Sequence, residues 1–293
     1  MSDAWRTLYP FESHHLLLES LRYHYLDEGA GQPLLMVHGN PTWSFYWRNL
    51  VVAFRDRYRV VVPDHIGCGL SDKPQDYPYR LSQHIENLVR LIEHLDLTGV
   101  TLLVHDWGGA IGLGAALQVP ARVARIVLFN TGAFPPPYFP LRIRVCRTPI
   151  LGQWAVRQLN LFARAALRMA VTKRERMTPA VREGLLAPYD NWENRIAIHR
   201  FVTDIPANER HPTWQTLADV ESGLPTLADR PIMAIWGMRD WCFTPACLDR
   251  FLAVFPDAEV HRLEGAGHYV IEDAHEEIVP LAERFLSEHP VDS

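Results

Sequence analysis

"LLVHDWGGAIGLGAAL", residues 102–117, decides how this chain is read. An apolar run stops at His105-Asp106-Trp107 and two glycines, and a helical pattern follows. An ionised carboxylate at the tip of a buried strand is costly to desolvate, so Asp106 needs a reason to be there. One reason is structural, since Asp is a favoured helix N-cap. The other is chemical. A strand, a tight turn and a helix opening in Gly108, Gly109 and Ala110 form the context that projects one reactive side chain from a sheet edge. The free N–H groups and positive dipole end of such a helix favour an anion behind that side chain.

Further apolar runs surround this stretch: "PLLMVH" (33–38), "YRVVVP" (58–63), "VTLLVH" (100–105), "RIVLFN" (125–130), "PIMAIW" (231–236) and "AEVHRL" (258–263). Near-continuous runs of this length read as strands covered on both faces, as in a parallel sheet. Helical patterns lie between them. In residues 81–97, Leu81, Ile85, Leu88, Leu91, Ile92 and Leu95 recur at three- and four-residue steps, giving one apolar stripe. Residues 131–214 break the rhythm, opening with the stiff "GAFPPPYFP" and continuing as helices without a convincing strand. The expected organisation is a core in two parts, 1–130 and 215–293, with a helical cap inserted at 131–214. Ligands of open α/β sheets bind beyond the carboxyl ends of the strands, where such a cap forms a roof.

The bulk numbers exclude several classes. The 293-residue chain is 48% hydrophobic and 22% charged with net charge -5, ordinary for a globular protein and unlike a nucleic-acid binder. No apolar run has the roughly 18–20 residues a spanning helix needs. "MSDAWRTLYPFESHH" has no basic segment followed by an apolar one, so a secretory signal is not expected. Cys68, Cys146, Cys242 and Cys247 show no metal-like spacing and read as reduced thiols of a cytoplasmic protein. Neither a metal nor a cofactor is implied, and the oligomeric state is open, a homo-oligomer being compatible.

Partners for Asp106 stand at other strand ends. His38-Gly39-Asn40-Pro41 follows the 33–38 run, and its glycine permits a turn that aims the Asn40 N–H inward. With the N–H of Trp107 it would form an oxyanion hole. Asp240 lies just past the 231–236 run, and His268 follows the 258–263 run on a glycine-flanked loop. The order nucleophile, acid, histidine (106, 240, 268) is that of the α/β-hydrolase fold, a mostly parallel sheet with helices on both faces.

Taken together, "HGNPTWSFYWRNL", "PDHIGCGLSDKP", "VHDWGGAIG", "WGMRD" and "GAGH" resemble the haloalkane dehalogenase-type α/β-hydrolases along essentially the whole chain. The resemblance implies Asp106 as nucleophile, His268 as base and Asp240 as triad acid. It also implies the Asn40 side chain and the Trp107 indole as the two N–H donors that hold the leaving halide. One subgroup places its triad acid at the strand end before the cap, where this chain has the amide Asn130; that arrangement is excluded. An Asp–His–Asp triad with an Asn–Trp pair resembles the third dehalogenase subfamily. That group is closely similar to the β-lactone decarboxylases of bacterial long-chain olefin biosynthesis, to which "LNLFARAA" and "PYDNWENRIAIHRFVTDIP" are particularly similar.

The chemistry fits these residue types. A carboxylate displaces a leaving group in line from sp3 carbon and becomes an alkyl ester. Neutral donors then receive the departing anion. His268, oriented by Asp240, takes a proton from the water that attacks the ester. The primary expectation is conversion of a small apolar haloalkane to alcohol and halide. The alternative is opening of a cis-β-lactone with loss of carbon dioxide to give an alkene, with no cofactor in either case. Epoxide hydrolysis is a third reading and would need acidic donors from the cap, for which Tyr138 and Tyr189 are available. A non-enzymatic reading rests on the cap's charge. Between Arg142 and Arg182 there are ten basic residues and one acidic one, Glu175. Within this stretch residues 151–171 read as one amphipathic helix with Arg157, Arg164 and Arg168 on one face, suited to a membrane or a protein partner. Asp64 is expected to shape a loop. Trp43, Phe45 and Trp47 are expected to be core or pocket wall, and His14-His15 surface.

Overall fold

A computed structural model describes residues 4–136 and 141–291. The described residues form the strands β1 (His14–Leu18), β2 (Leu21–Glu28), β3 (Pro33–Val37), β4 (Arg59–Pro63), β5 (Val100–Asp106), β6 (Val123–Thr131), β7 (Ile232–Gly237) and β8 (Glu259–Leu263). They make one sheet in the order β1-β2-β4-β3-β5-β6-β7-β8. The first two pairings, β1 with β2 and β2 with β4, are antiparallel, and the remainder are parallel. This is the α/β-hydrolase fold. Each apolar run quoted above is a strand to within a residue or two. The β1–β2 hairpin was not among them, because its half-exposed residues alternate too weakly to stand out.

Strand alternation divides the core into two layers. Leu35 and Val37 of β3 face one layer, under α2 (Leu81–His94), α3 (Trp107–Gln118), α9 (Pro212–Gly223) and α10 (Pro245–Val254). Leu34 and Met36 face the other, under α1 (Arg48–Phe54) and α11 (Val270–Glu288). Trp43, Phe45, Tyr46 and Trp47 are fully buried in this second layer. Strands β3, β5 and β7 are buried along their whole length, so their carboxyl ends are fixed points. The glycines after Asp106 let α3 settle onto the sheet. A Cβ at Gly108 would lie 2.1 Å from the Val37 carbonyl oxygen, and one at Gly109 1.8 Å from Thr131 Oγ1.

Between β6 and β7 the described residues are helical or loop: α4 (Leu141–Cys146), α5 (Leu151–Arg157), α6 (Leu161–Met169), α7 (Pro179–Leu186), α8 (Ile196–Asp204) and then α9. By Pro212 the chain has rejoined the sheet, since α9 packs on α2 and α3. The expected single helix over 151–171 is corrected. Asn160 adopts left-handed φ 51 and splits it into α5 and α6. Arg157 is buried over the Trp192 ring and donates to the Trp192 carbonyl and to Gln75, so it shares no face with Arg164 and Arg168. Among the described residues no helix is long and apolar enough to cross a membrane.

One buried ion pair fastens α1 to α11. Arg48 of α1 makes a fork-to-fork pair with Glu272 at the start of α11, Nη2 lying 2.8 Å from Oε2, with the two side chains 4% and 2% exposed. Removing one partner strands the other charge away from water. Glu272→Ala is therefore expected to destabilise the fold by about 3–5 kcal/mol, read as a lower urea midpoint with unchanged slope. Replacing both residues by apolar ones of similar volume should recover most of that loss.

Candidate active site

The carboxyl ends of β3, β5, β7 and β8 bring the expected residues together. Asp106 ends β5 at φ 54, ψ −127, a region that costs a non-glycine residue about 1–3 kcal/mol. Its side chain makes no capping bond to α3, which removes the structural explanation for its presence. Thr131 Oγ1 donates to its carbonyl at 2.5 Å and braces the turn. Asp106 Oδ1 instead accepts the backbone N–H of Asn40 at 2.6 Å, and the neighbouring Trp107 N–H further favours the charged carboxyl. One of the two donors expected to form an oxyanion hole, the Asn40 N–H, thus already holds the carboxylate. Gly39 is required beside it, since a Cβ there would fall 2.0 Å from Asp106 Oδ1.

The other oxygen, Oδ2, lies 3.6 Å from His268 Nε2, too long for a direct hydrogen bond. His268 Nδ1 is 2.8 Å from Asp240 Oδ2, and Asp240 Oδ1 accepts the Cys242 N–H at 2.6 Å. Burial pushes the Asp106 carboxyl above its ordinary value, opposed by the His268 imidazole and the two backbone N–H groups. Burial pulls His268 down, but the Asp240 charge and hydrogen bond, with Asp106 adding, leave it raised.

Above Asp106 lies a cavity of about 710 Å³. Its floor is Asn40, Asp106, Trp107 and His268, and its walls are mostly apolar, among them Phe134, Ile143, Phe162, Val202 and Leu217. The Trp107 indole packs on Phe201 at 5.4 Å. One Asn40 amide hydrogen is bonded to the Ile198 carbonyl at 3.2 Å, which leaves the second for a guest. Among the described residues no group of three His, Cys, Asp or Glu side chains is placed to hold a metal ion.

Other candidates lie elsewhere. Tyr189 does not line the cavity. It is buried, with its hydroxyl donating to the Thr42 carbonyl. Tyr138 lies outside the described residues, so epoxide hydrolysis loses the one donor that can be placed. Asn130 clamps the end of β7, donating to the Gly237 carbonyl at 3.0 Å and accepting its N–H at 2.7 Å. Asp64 is buried against His24 and accepts the N–H groups of Ser44 and Leu70, which shapes the loop it begins. The four cysteines are free thiols, three of them at the cavity wall.

Three supporting residues escaped the sequence reading. His105 Nε2 is 2.8 Å from the His268 carbonyl, and the two rings lie 4.7 Å apart. Phe243 stacks against the His268 ring at 5.7 Å. Asp273 accepts the N–H of Gly267 at 2.7 Å and those of Thr172 and Lys173. Only His105, immediately before Asp106, carried a signal in the sequence.

Comparison with known proteins agrees with this architecture. The alpha/beta hydrolase fold family matches residues 32–274. The chain is 46% identical over 280 residues to a cis-3-alkyl-4-alkyloxetan-2-one decarboxylase of Xanthomonas campestris, covering 91% of this chain and 93% of that protein. It is 35% identical over 288 residues to haloalkane dehalogenase 2 of Mycobacterium tuberculosis, covering 95% and 96%. Among solved structures, haloalkane dehalogenase DatA of Agrobacterium tumefaciens C58 superposes with TM-score 0.86 at 26% identity, covering 95% of this chain and 97% of that one.

The charge balance at His268 is directly measurable. In histidine-selective NMR, its ring is expected to titrate above the ordinary imidazole value. Asp240→Asn removes the anion that favours the cation, so the midpoint should fall. A midpoint that rises or stays in the variant would contradict the assignment of Asp240 as the controlling charge.

Proposed function

Since this chain belongs to the α/β-hydrolase family and is an enzyme of the haloalkane dehalogenase type, we propose that Asp106 opens a cis-β-lactone carrying two alkyl chains, which then leaves as an alkene and carbon dioxide. The observation that carries this reading is the 710 Å³ cavity directly over the carboxylate. A short haloalkane would leave most of that space unfilled, whereas two alkyl tails would bury against its walls. The substrate class is that named for the Xanthomonas relative.

The first step is backside attack of Asp106 Oδ2 on the ring carbon that bears the lactone oxygen. The C–O bond to that oxygen breaks, an alkyl ester forms on Asp106, and the substrate becomes a carboxylate. The Asn40 amide and the Trp107 indole are the donors for the departing oxygen, and the backbone N–H of Asn40 keeps the Asp106 carboxyl fixed. The four-membered ring is nearly flat. Inversion therefore leaves the new C–O(Asp106) bond opposite the C–carboxylate bond. The second step is elimination along that line. The C–CO2 bond breaks, its electron pair forms the double bond, and Asp106 leaves as carboxylate. Carbon dioxide and the alkene are released, the two alkyl groups keep their cis relation, and no proton or water is consumed.

The second reading, haloalkane hydrolysis, is favoured by the same Asn40–Trp107 pair. A haloalkane ester has no internal carboxylate to eliminate. It needs His268, assisted by Asp240, to activate water against the Asp106 carbonyl carbon. In both readings residues 131–214 serve as the cap that excludes bulk water, the substrate is a small apolar molecule, and we place the protein in the cytoplasm.

The test offers purified protein a long-chain cis-3,4-dialkyl β-lactone and a panel of bromoalkanes, with alkene and halide measured in parallel. The lactone should have the higher kcat/KM, and Asp106→Ala should lower kcat for both by at least about a thousand-fold. His268→Gln should separate them. With a bromoalkane, intact-mass spectrometry should find the alkyl ester accumulated on Asp106. With the lactone, alkene should still form without a stable adduct. A ring-opened hydroxy acid as the lactone product would overturn the elimination step.

A further inference from the structure

We infer that the cap face formed by α4, α5 and α6, beside the cavity wall, docks on an anionic phospholipid bilayer. Over the rest of the described surface large exposed apolar residues are few and scattered, but most of them lie on α4, α5, α6 and their connections. Ile150 is 80% exposed, Leu151 73%, Leu141 71%, Val145 58%, Leu161 51% and Trp154 50%. Helix α4 packs on α5 and α5 on α6, so these side chains belong to one neighbourhood. A concentration of this kind marks an interaction surface rather than chance exposure. Ile150, the most exposed of them, is held at φ 65. That region is an outlier for a β-branched residue, and strain of this kind clusters where function needs it.

Charge lies alongside. Arg164, Arg168, Arg174 and Arg182 line a cleft of about 670 Å³. That cleft shares Leu161, Ala165 and Met169 with the wall of the substrate cavity. Among the described residues Arg164, Arg168 and Arg174 form no ion pair, whereas neighbouring Lys173 and Arg176 are paired with Glu277 and Glu276. Unneutralised arginines in a chain of net charge -5 are complementary to a surface of phosphates. Exposed aliphatic residues, a tryptophan and arginines side by side are the composition of an element lying in a membrane interface.

The cleft meets the cavity wall at α6, so a docked cap would bring that wall of the substrate cavity close to the bilayer. That arrangement suits a two-tailed lactone and an alkene, both of which partition into lipid, and to that extent it rests on the function proposed above. Binding itself does not, and it is measured without turnover.

The experiment is co-sedimentation of the full chain with vesicles of phosphatidylglycerol and phosphatidylcholine, and of phosphatidylcholine alone, at low and high salt. The wild type should pellet with the anionic vesicles at low salt and be released at high salt. Combined Arg164→Glu, Arg168→Glu and Arg174→Glu should weaken binding on the order of a hundred-fold. Leu151→Ser with Trp154→Ser should weaken it by another route. Both variants should keep the wild-type thermal midpoint, which separates lost docking from lost fold. Wild type that stays in the supernatant at low salt, or charge-reversed protein that binds as well as wild type, would overturn the inference. So would sedimentation velocity in which this face self-associates, the same substitutions giving monomer, while vesicles bind nothing.

Discussion

The site depends on a carboxylate that is buried yet left without a contacting cation. Asp106 is held at Oδ1 by the backbone N–H of Asn40, the Trp107 N–H also favours its charge, and Oδ2 stands 3.6 Å from an imidazole. Backbone donors stabilise the charge without leaving their posts. A guanidinium in the same place would close over the free oxygen. The cost is a strained backbone at Asp106 and a glycine forced at Gly39. The fully buried strands β3 and β5, whose ends hold these residues in register from Leu34–Thr101 to Val37–Val104, make that cost bearable.

The helices between β6 and β7 are fastened to the loops of the site itself. The Asp273 carboxylate accepts N–H groups from Gly267, next to His268, and from Thr172 and Lys173 just after α6. The Tyr269 N–H donates to the Ala170 carbonyl at 2.7 Å, and the Trp241 indole donates to the Met169 carbonyl at 3.0 Å. The loop carrying Asp240 and the loop carrying His268 are thus bonded to the last turn of one helix.

The strands were legible in the sequence because a parallel sheet under two helical layers leaves no polar face, and such runs of Val, Ile and Leu have few other readings. Asp106, Asp240 and His268 were legible because each follows an apolar run at its carboxyl end. The β1–β2 hairpin was not, since an edge ribbon needs little apolar patterning. The break at Asn160 was not, since a left-handed residue leaves the helical spacing on either side intact. Arg157 carried a surface signature but is buried, because Trp192 and Gln75, far along the chain, supply its partners. Asp273 was invisible for the same reason: its partners are backbone groups of segments brought together only by the fold.

What separates decarboxylation from hydrolysis in such a site is the fate of the ester, not its formation. In both proposed reactions Asp106 attacks saturated carbon and neutral donors receive an anion. A halide then departs and leaves an inert alkyl ester, and water must be activated to release it. A lactone oxygen stays attached as a carboxylate, placed by ring geometry opposite the bond to Asp106. There the walls are mostly apolar, and the polar groups that line them include Asn40, Trp107 and His268 at the floor with Arg142, Thr244 and Arg250 further out, Arg250 being already bound to Glu221. Loss of carbon dioxide disperses that charge into a neutral gas and returns it to Asp106, whose backbone donors are already in place. Mostly apolar walls therefore favour elimination, because they stabilise a carboxylate less than they stabilise the neutral products.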